Sequence, residues 1–165
     1  MACKPKFARV GGAAALLLAL ALLAFTGTAA AATTMITFKE PENGSTFRFI
    51  DNAPKTKTKH GFPQKISAGD VFVFTNPLEA GGKQIGHLKA VCTATGNGSF
   101  QNAGFICNGT FFFTGKGTLI AAASIGSGKT EGAITGGTGS YAGARGTFVS
   151  KEGKGASTVT VTLLE

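Results

Sequence analysis

Few residues in this sequence have the types and spacing needed for catalysis. It contains two histidines, His60 and His87, and no Gly-x-Ser-x-Gly segment, so it offers no hydrolytic triad and no nucleophile elbow. The two histidines could join Cys92 and Cys107 at a zinc ion, but their spacing does not match that of zinc ligands. The sequence therefore predicts neither a metal site nor a hydrolytic site.

One segment, 123–130, fits a relaxed phosphate-loop pattern. In a nucleotide-binding loop a helix must follow the lysine directly, so that the helix N-terminus faces the phosphates. Here Glu131 begins a short strand-like segment that ends at Gly136. We interpret 123–130 as a hairpin turn between two strands.

The first 32 residues have the pattern of a secretory signal peptide. Three basic residues lie before position 10, an uncharged apolar run covers 13–25, and small residues fill 28–32. The apolar run is short for a stable membrane anchor, although an uncleaved anchor is the alternative. We expect cleavage near Ala31 or Ala32, which leaves one domain at 33–165, secreted or periplasmic, with no stable membrane insertion.

The charge of the chain does not indicate a nucleic-acid partner. The net charge is +8, and the predicted cleavage removes three basic residues, which leaves 13 basic against eight acidic residues, or +5. The cations are scattered apart from Lys55, Lys57 and Lys59, and they lack the interleaved aromatic rings of a nucleic-acid surface. A solvated basic loop is the simpler interpretation, and weak attraction to an anionic cell-surface polymer is the alternative.

Strand patterns recur after position 32, where no segment of a dozen residues shows helical periodicity. The last strand alternates most clearly, with Val159, Val161 and Leu163 on one face and threonines on the other. About nine short strands in sequential hairpins are expected, with a long loop at 52–69. The predicted strands are 35–40, 46–51, 70–75, 85–95, 104–114, 117–125, 129–135, 146–151 and 157–164.

Two cysteines, Cys92 and Cys107, are expected to form a disulfide. The third, Cys3, lies in the predicted leader. The midpoint between the pair falls at Ser99/Phe100, by the turn-rich segment 96–99, so a hairpin there would place the two thiols opposite each other on neighbouring strands. Export from the cell would permit the bond.

The segment 133–147 holds five glycines, the only tyrosine of the chain and Arg145. Each interior glycine costs a helix about 1 kcal/mol relative to alanine, so no helix persists here. Glycines among apolar and aromatic side chains indicate a bend where backbone passes close to backbone, as in a closing β-barrel. An antiparallel barrel would also leave no exposed sheet edge.

Three segments, in this order, resemble those of the allene oxide cyclase-like and dirigent-like barrel proteins. They are 69–77 (GDVFVFTNP), 83–92 (KQIGHLKAVC) and 136–146 (GGTGSYAGARG). The resemblance covers about 36–165 and implies an eight-stranded antiparallel up-and-down barrel, which makes one of the nine predicted strands a boundary error. It also implies catalysis without a cofactor, and assembly as a homo-oligomer, since relatives often form trimers.

The resemblance assigns roles to particular residues. Phe74 and Asn76 match the family's Phe-x-Asn, so Asn76 is the implied catalytic residue and Phe74 an implied binding residue. An amide can donate to an oxygen that gains negative charge without having to titrate. Cys92 matches a cavity-lining cysteine of the family. Glu40 and Glu42 lie at a predicted turn, so neither is assigned to the acidic position on the first strand.

Three more residues are candidates for ligand contact, namely Asp51, Tyr141 and Arg145, and each has a structural alternative. Asp51 is typical of an Asx turn. Arg145 could pack against Tyr141 or bond to a backbone carbonyl. Asp70, which follows Gly69, is typical of a turn acceptor at the start of a strand.

Three functions remain open at this point. The first is a cofactor-free cyclase, isomerase or coupling-steering protein, in which an apolar cavity holds a reactive small molecule in one conformation. The second is a non-catalytic barrel that binds an apolar metabolite or lipid. The third is a wall-associated protein whose barrel is filled with the 14 phenylalanines. The expected partner is an apolar or lipid-derived small molecule.

Overall fold

The structure is a computed structural model that describes residues 33–55, 58–59, 62–125 and 129–164. Strands and turns make up this part of the chain, which contains no helix, so the expected all-β fold is confirmed. The predicted signal peptide at 1–32 lies outside the described residues. The strands are β1 (Thr33–Pro41), β2 (Thr46–Ile50), β3 (Thr58–Lys59), β4 (Phe62–Pro63), β5 (Val71–Ala80), β6 (Lys83–Ala94), β7 (Phe105–Phe113), β8 (Gly117–Ile125), β9 (Lys129–Gly139), β10 (Gly146–Lys151) and β11 (Ala156–Leu164).

Eight of these strands close into an antiparallel barrel. The order around it is β1, β11, β10, β9, β8, β7, β6, β5, and β5 pairs back to β1 where Lys39 lies opposite Glu79. The short strand β2 pairs with β5 as well, with Thr46 opposite Thr75. Because β1 and β2 share one edge of β5, they act as a single interrupted strand, and the nine main strands make an eight-stranded barrel.

The sequential hairpins expected from the sequence hold from β5 to β11 but fail at β1 and β2. β1 pairs along its whole length with β11, from Thr33 opposite Leu164 to Pro41 opposite Ala156. The chain then leaves β11 through the turn after Pro41 and continues as β2 on β5. Folding back as a hairpin would have left sheet edges unpaired, whereas this change of partner closes the barrel.

The region expected as a long loop, 52–69, contains the paired two-residue strands β3 and β4. Its return to the barrel is fixed by Asp70, whose buried carboxylate accepts hydrogen bonds from the backbone N–H groups of Asn52 (2.9 Å) and Ser67 (2.7 Å). Asp70 is therefore a turn acceptor, as predicted. Ile66 pairs with Gly98 in the 95–104 loop, so both loops cover the same end of the barrel, which we call the upper end.

Alternation along each strand buries one face inside the barrel, where two apolar clusters form. Phe74 is half-buried and packs against both of them. The upper cluster consists of Ile66, Phe72, Cys92, Ala94, Ala103, Phe105 and Cys107. The lower cluster consists of Phe38, Leu78, Leu88, Phe111, Phe113, Leu119, Ala121, Ile134, Phe148, Val159, Val161 and Leu163.

The predicted disulfide between Cys92 and Cys107 is present. The two residues lie directly opposite each other on β6 and β7, in the hairpin that the 95–104 loop connects. Both side chains face the barrel interior and are buried in the upper cluster. The bond thus crosslinks two neighbouring strands of the wall.

The glycine-rich segment makes the close backbone approach that its composition predicts. At Gly137 a Cβ atom would lie 2.7 Å from the carbonyl oxygen of Thr118 and closer still to that of Tyr141. The following turn folds Tyr141 back against Phe113, with ring centroids 5.3 Å apart. This turn covers the lower end of the barrel, opposite the 95–104 loop.

The two adjacent glycines provide a matched test of this close approach. Gly137→Ala is expected to lower the free energy of unfolding by about 1–3 kcal/mol, because its Cβ would meet rigid backbone. Gly136→Ala should stay near the wild-type value, since the nearest atom there is Ile120 Cδ1 at 3.7 Å. Denaturant unfolding measures both. Equal stability of the two variants would contradict the packing described for this segment.

Candidate functional site

Small residues on neighbouring strands open a cavity between the two apolar clusters. Ala90, Gly109 and Ala121 lie opposite one another on β6, β7 and β8, with Phe74 next in the same row on β5. The cavity has a volume of about 110 Å3. A buried water needs roughly 10–15 Å3 on a comparable measure, so there is room for a small organic molecule. Its lining residues are Glu40, Phe74, Leu88, Ala90, Cys107, Gly109, Phe111, Ala121, Ala123, Ile125, Thr130, Phe148 and Ser150.

Three of these lining side chains are polar. Thr130 and Ser150 lie directly opposite each other on β9 and β10 and bring two hydroxyl groups to the wall. Glu40 reaches the cavity from the end of β1 and brings the one ionisable group. Since none of the lining residues is cationic, the cavity suits a neutral molecule better than an anion.

Within the part of the chain that the structure describes, one side-chain hydrogen bond holds the carboxyl group of Glu40. Asn76 Nδ2 donates to Glu40 Oε2 at 3.0 Å. Burial in the apolar barrel raises the pKa of Glu40 above its ordinary value of 4.5, and the hydrogen bond from Asn76 opposes part of this rise. Glu40 therefore keeps its proton to higher pH than an exposed glutamate, and the protonated form is a hydrogen-bond donor.

The site lies at a break in the barrel wall. β1 pairs with β5 at Glu79 and β2 pairs with residues 71–75 of β5, so residues 76–78 of β5 have no paired residue from either strand. Pro77 lies in the middle of this break, where a missing N–H costs no hydrogen bond. A groove of about 320 Å3 follows the break, and Glu40 and Phe74 line both this groove and the interior cavity.

The structure brings together part of the predicted site. Phe74 lines the cavity, and Asn76 lines the groove and contacts Glu40. Cys107 forms part of the cavity wall, while its partner Cys92 packs in the upper cluster. The catalytic role of Asn76 stays a prediction.

Glu40 is the residue that sequence reasoning missed. Pro41 next to it suggested a turn, but β1 extends through Pro41 and Glu40 faces inward. Its position was visible as a pattern, because Ile36, Phe38 and Glu40 alternate along one face of the strand. An acid in register with two core residues is the signal that identifies it.

The other predicted binding residues lie elsewhere. Asp51 is half-buried just after β2 and does not line the cavity. Tyr141 lies at the lower end, where burial raises the pKa of its hydroxyl group, and Arg145 is exposed beside it. Both line a separate groove of about 430 Å3. Contact of these three residues with a ligand stays a prediction.

His87 does not line the cavity. His87 stacks on the ring of Phe112 at a centroid distance of 4.8 Å, and His60 lies outside the described residues. Within the described ranges no three His, Cys, Asp or Glu side chains are grouped so that they could hold a metal ion. These ranges also include no helix with the length and apolarity needed to span a membrane.

Glu40 should give the stability of the fold a measurable pH dependence. With its pKa raised in the folded state, the folded protein binds more protons than the unfolded chain, so stability falls as pH rises from about 4.5 through the raised pKa. Glu40→Gln cannot ionise and should gain stability relative to wild type across this window. Thermal unfolding at several pH values measures the difference, with Glu42→Gln as the control for net charge. A pH-independent difference would contradict the assigned burial of the carboxyl.

No family model matches the chain, and no curated protein matches it. Solved structures do. A pyocyanin demethylase is 22% identical, with a TM-score of 0.58 over 80% of this chain and 99% of that one. A pterocarpan synthase dirigent protein is 22% identical, with a TM-score of 0.57 over 80% and 83%. A nonspecific heme-binding cyclase that catalyses a cycloaddition is 14% identical, with a TM-score of 0.55 over 95% and 80%. The expected resemblance is thus confirmed, and the chain has the barrel fold of the dirigent and cyclase proteins.

Proposed function

We propose that the barrel binds a small, neutral and mainly apolar molecule, and that Glu40 donates a hydrogen bond from its carboxylic acid to one oxygen of that molecule. One observation carries the proposal: an inward-facing carboxyl with a raised pKa lies on the wall of an otherwise mainly apolar cavity. A buried acid of this kind is typical of sites that stabilise developing negative charge on a substrate oxygen.

In this role the protein orients the ligand and supplies one hydrogen-bond donor. Rings of Phe74, Phe111 and Phe148 border the cavity and would hold a flexible ligand in one conformation. The neutral acid of Glu40 would then polarise an ether, epoxide or carbonyl oxygen as bonds rearrange. A cyclisation or isomerisation keeps every atom of its substrate, so it needs no co-reactant.

Asn76 has a different role in this proposal from the one that the sequence predicts. Its amide is bonded to Glu40 and lines the outer groove, so it would position the acid and would not itself contact the ligand. The names of two structural neighbours, a dirigent protein and a cyclase, describe chemistry on small molecules and support the general class.

We further propose that the protein acts outside the cytoplasm after loss of residues 1–32. The support is the charged, apolar and small-residue order of this segment, together with a disulfide that an oxidising compartment would maintain.

A non-catalytic binding barrel is the second candidate. The observation that favours it is that Glu40 is the one ionisable side chain among the cavity-lining residues, so no second acid or base accompanies it to return a proton. Binding and turnover therefore need separate tests.

Binding is tested by filling the cavity. A panel of neutral phenolics, fatty-acid epoxides and free fatty acids is screened by thermal shift, and a neutral ligand at 100 times its Kd should stabilise wild type by about 2.7 kcal/mol. Ala123→Leu, which points into the cavity, should abolish the shift. Ala122→Leu, on the outer face of the same strand, should keep it. A barrel that responds to no ligand, or a shift that survives Ala123→Leu, would contradict the proposed site.

Turnover is tested on Glu40 with any ligand that binds. Glu40→Gln should lower kcat by about 100-fold or more while Kd stays within tenfold, because the variant keeps the shape but loses the proton. The wild-type kcat should fall as pH rises through the raised pKa of Glu40. Absence of turnover by wild type with every bound ligand would favour the non-catalytic barrel.

A further inference from the structure

A row of lysines crosses the outer face of the barrel on four neighbouring strands. Lys39 on β1 lies opposite Thr158 on β11, Thr158 lies opposite Lys151 on β10, and Lys151 lies opposite Lys129 on β9. All three lysines are exposed. Neighbouring strands are about 4.8 Å apart, so the backbone positions of Lys39 and Lys129, at the two ends of this row, are separated by about 14 Å.

This arrangement costs the fold some stability. Like charges directly opposite each other on paired strands repel, as at Lys151 and Lys129. The described residues include one ion pair on this face, between Lys129 and Glu131, and none to Lys39 or Lys151. Lys39 also lies opposite Glu79 on β5, so the three lysines are accompanied by two acids, Glu79 and Glu131, and one net positive charge remains.

Hydroxyl groups lie beside the lysines. Thr160 is in the next row, where its hydroxyl lies 3.5 Å from that of Thr37. A shallow groove of about 380 Å3 runs past these side chains. It is lined by Lys129, Val149, Lys151, Thr158 and Thr160, and none of these residues is aromatic.

We propose that this lysine–threonine face binds an acidic polysaccharide through its carboxylate and hydroxyl groups. Lysine supplies charge to carboxylates, and threonine hydroxyls both donate to and accept from sugar hydroxyls. A nucleic acid fits less well, because single strands are bound on aromatic side chains that this groove lacks. A second copy of the chain is disfavoured, because a symmetric contact would place the two lysine rows against each other.

The lysine–threonine face is separate from the interior cavity. The strands β9 and β10 present Thr130 and Ser150 to the cavity and Lys129 and Lys151 to the outside. A polymer on the outer face would hold the barrel at a surface while leaving the cavity unoccupied.

Binding to immobilised polygalacturonate, with neutral dextran as the reference, tests the proposal. Wild type should bind at about 50 mM NaCl and be released at about 500 mM, since salt screens exposed charges. The triple variant Lys39→Gln, Lys129→Gln, Lys151→Gln should bind at least about tenfold more weakly. Glu131→Gln, which removes the ion-pair partner of Lys129, should bind more tightly than wild type.

A matched variant shows whether binding depends on the lysines of this face or on the net charge of the protein alone. Arg48→Gln, Lys83→Gln, Lys116→Gln removes the same number of charges from exposed positions elsewhere and should stay within about threefold of wild type. An equal loss in both triple variants, or no binding by wild type, would overturn the proposal. Tighter binding of duplex or single-stranded DNA than of polygalacturonate, lost in the face variant, would overturn it in favour of a nucleic acid.

Discussion

The barrel depends on the pairing of one edge of β5, which two separate strands must share. β1 pairs with this edge at Glu79, and β2 pairs with it along residues 71–75. The interruption between them is tolerated because Pro77 has no N–H to satisfy. The same interruption places Glu40 beside Asn76, at a point that borders both the cavity and the outer groove. The change from β1 to β2 along this edge therefore both closes the sheet and positions Glu40.

Much of the fold could be predicted from the sequence because its signals are local. Alternation predicts β11, the spacing of Cys92 and Cys107 predicts their bridge, and the glycines of 136–146 predict a close backbone approach. The change of partner between β1 and β2 could not be predicted from the sequence. It depends on which strand, remote in sequence, has an unpaired edge. The cavity could not be predicted either, because it forms only when Ala90, Gly109 and Ala121 lie opposite one another on paired strands.

The two faces of the wall have different chemistry within the same strands. On β9 and β10, Thr130 and Ser150 line the apolar interior, while Lys129 and Lys151 beside them carry charge outside. Alternation with a period of two residues makes this separation possible without additional elements. The cavity-lining residues include one ionisable group, Glu40, and burial raises the pKa of its carboxyl.

An NMR titration of the Glu40 carboxyl carbon, with and without a bound neutral ligand, tests directly whether Glu40 is a protonated donor in the cavity. The pKa of Glu40 is expected to lie above 4.5 in the free protein and to rise further on binding, because the ligand accepts a hydrogen bond from the protonated acid. Loss of the Asn76 amide in Asn76→Ala should also raise it, since that bond favours the charged form. A Glu40 carboxyl that titrates at or below 4.5 and does not respond to ligand would rule out the proposed role of Glu40 as a hydrogen-bond donor.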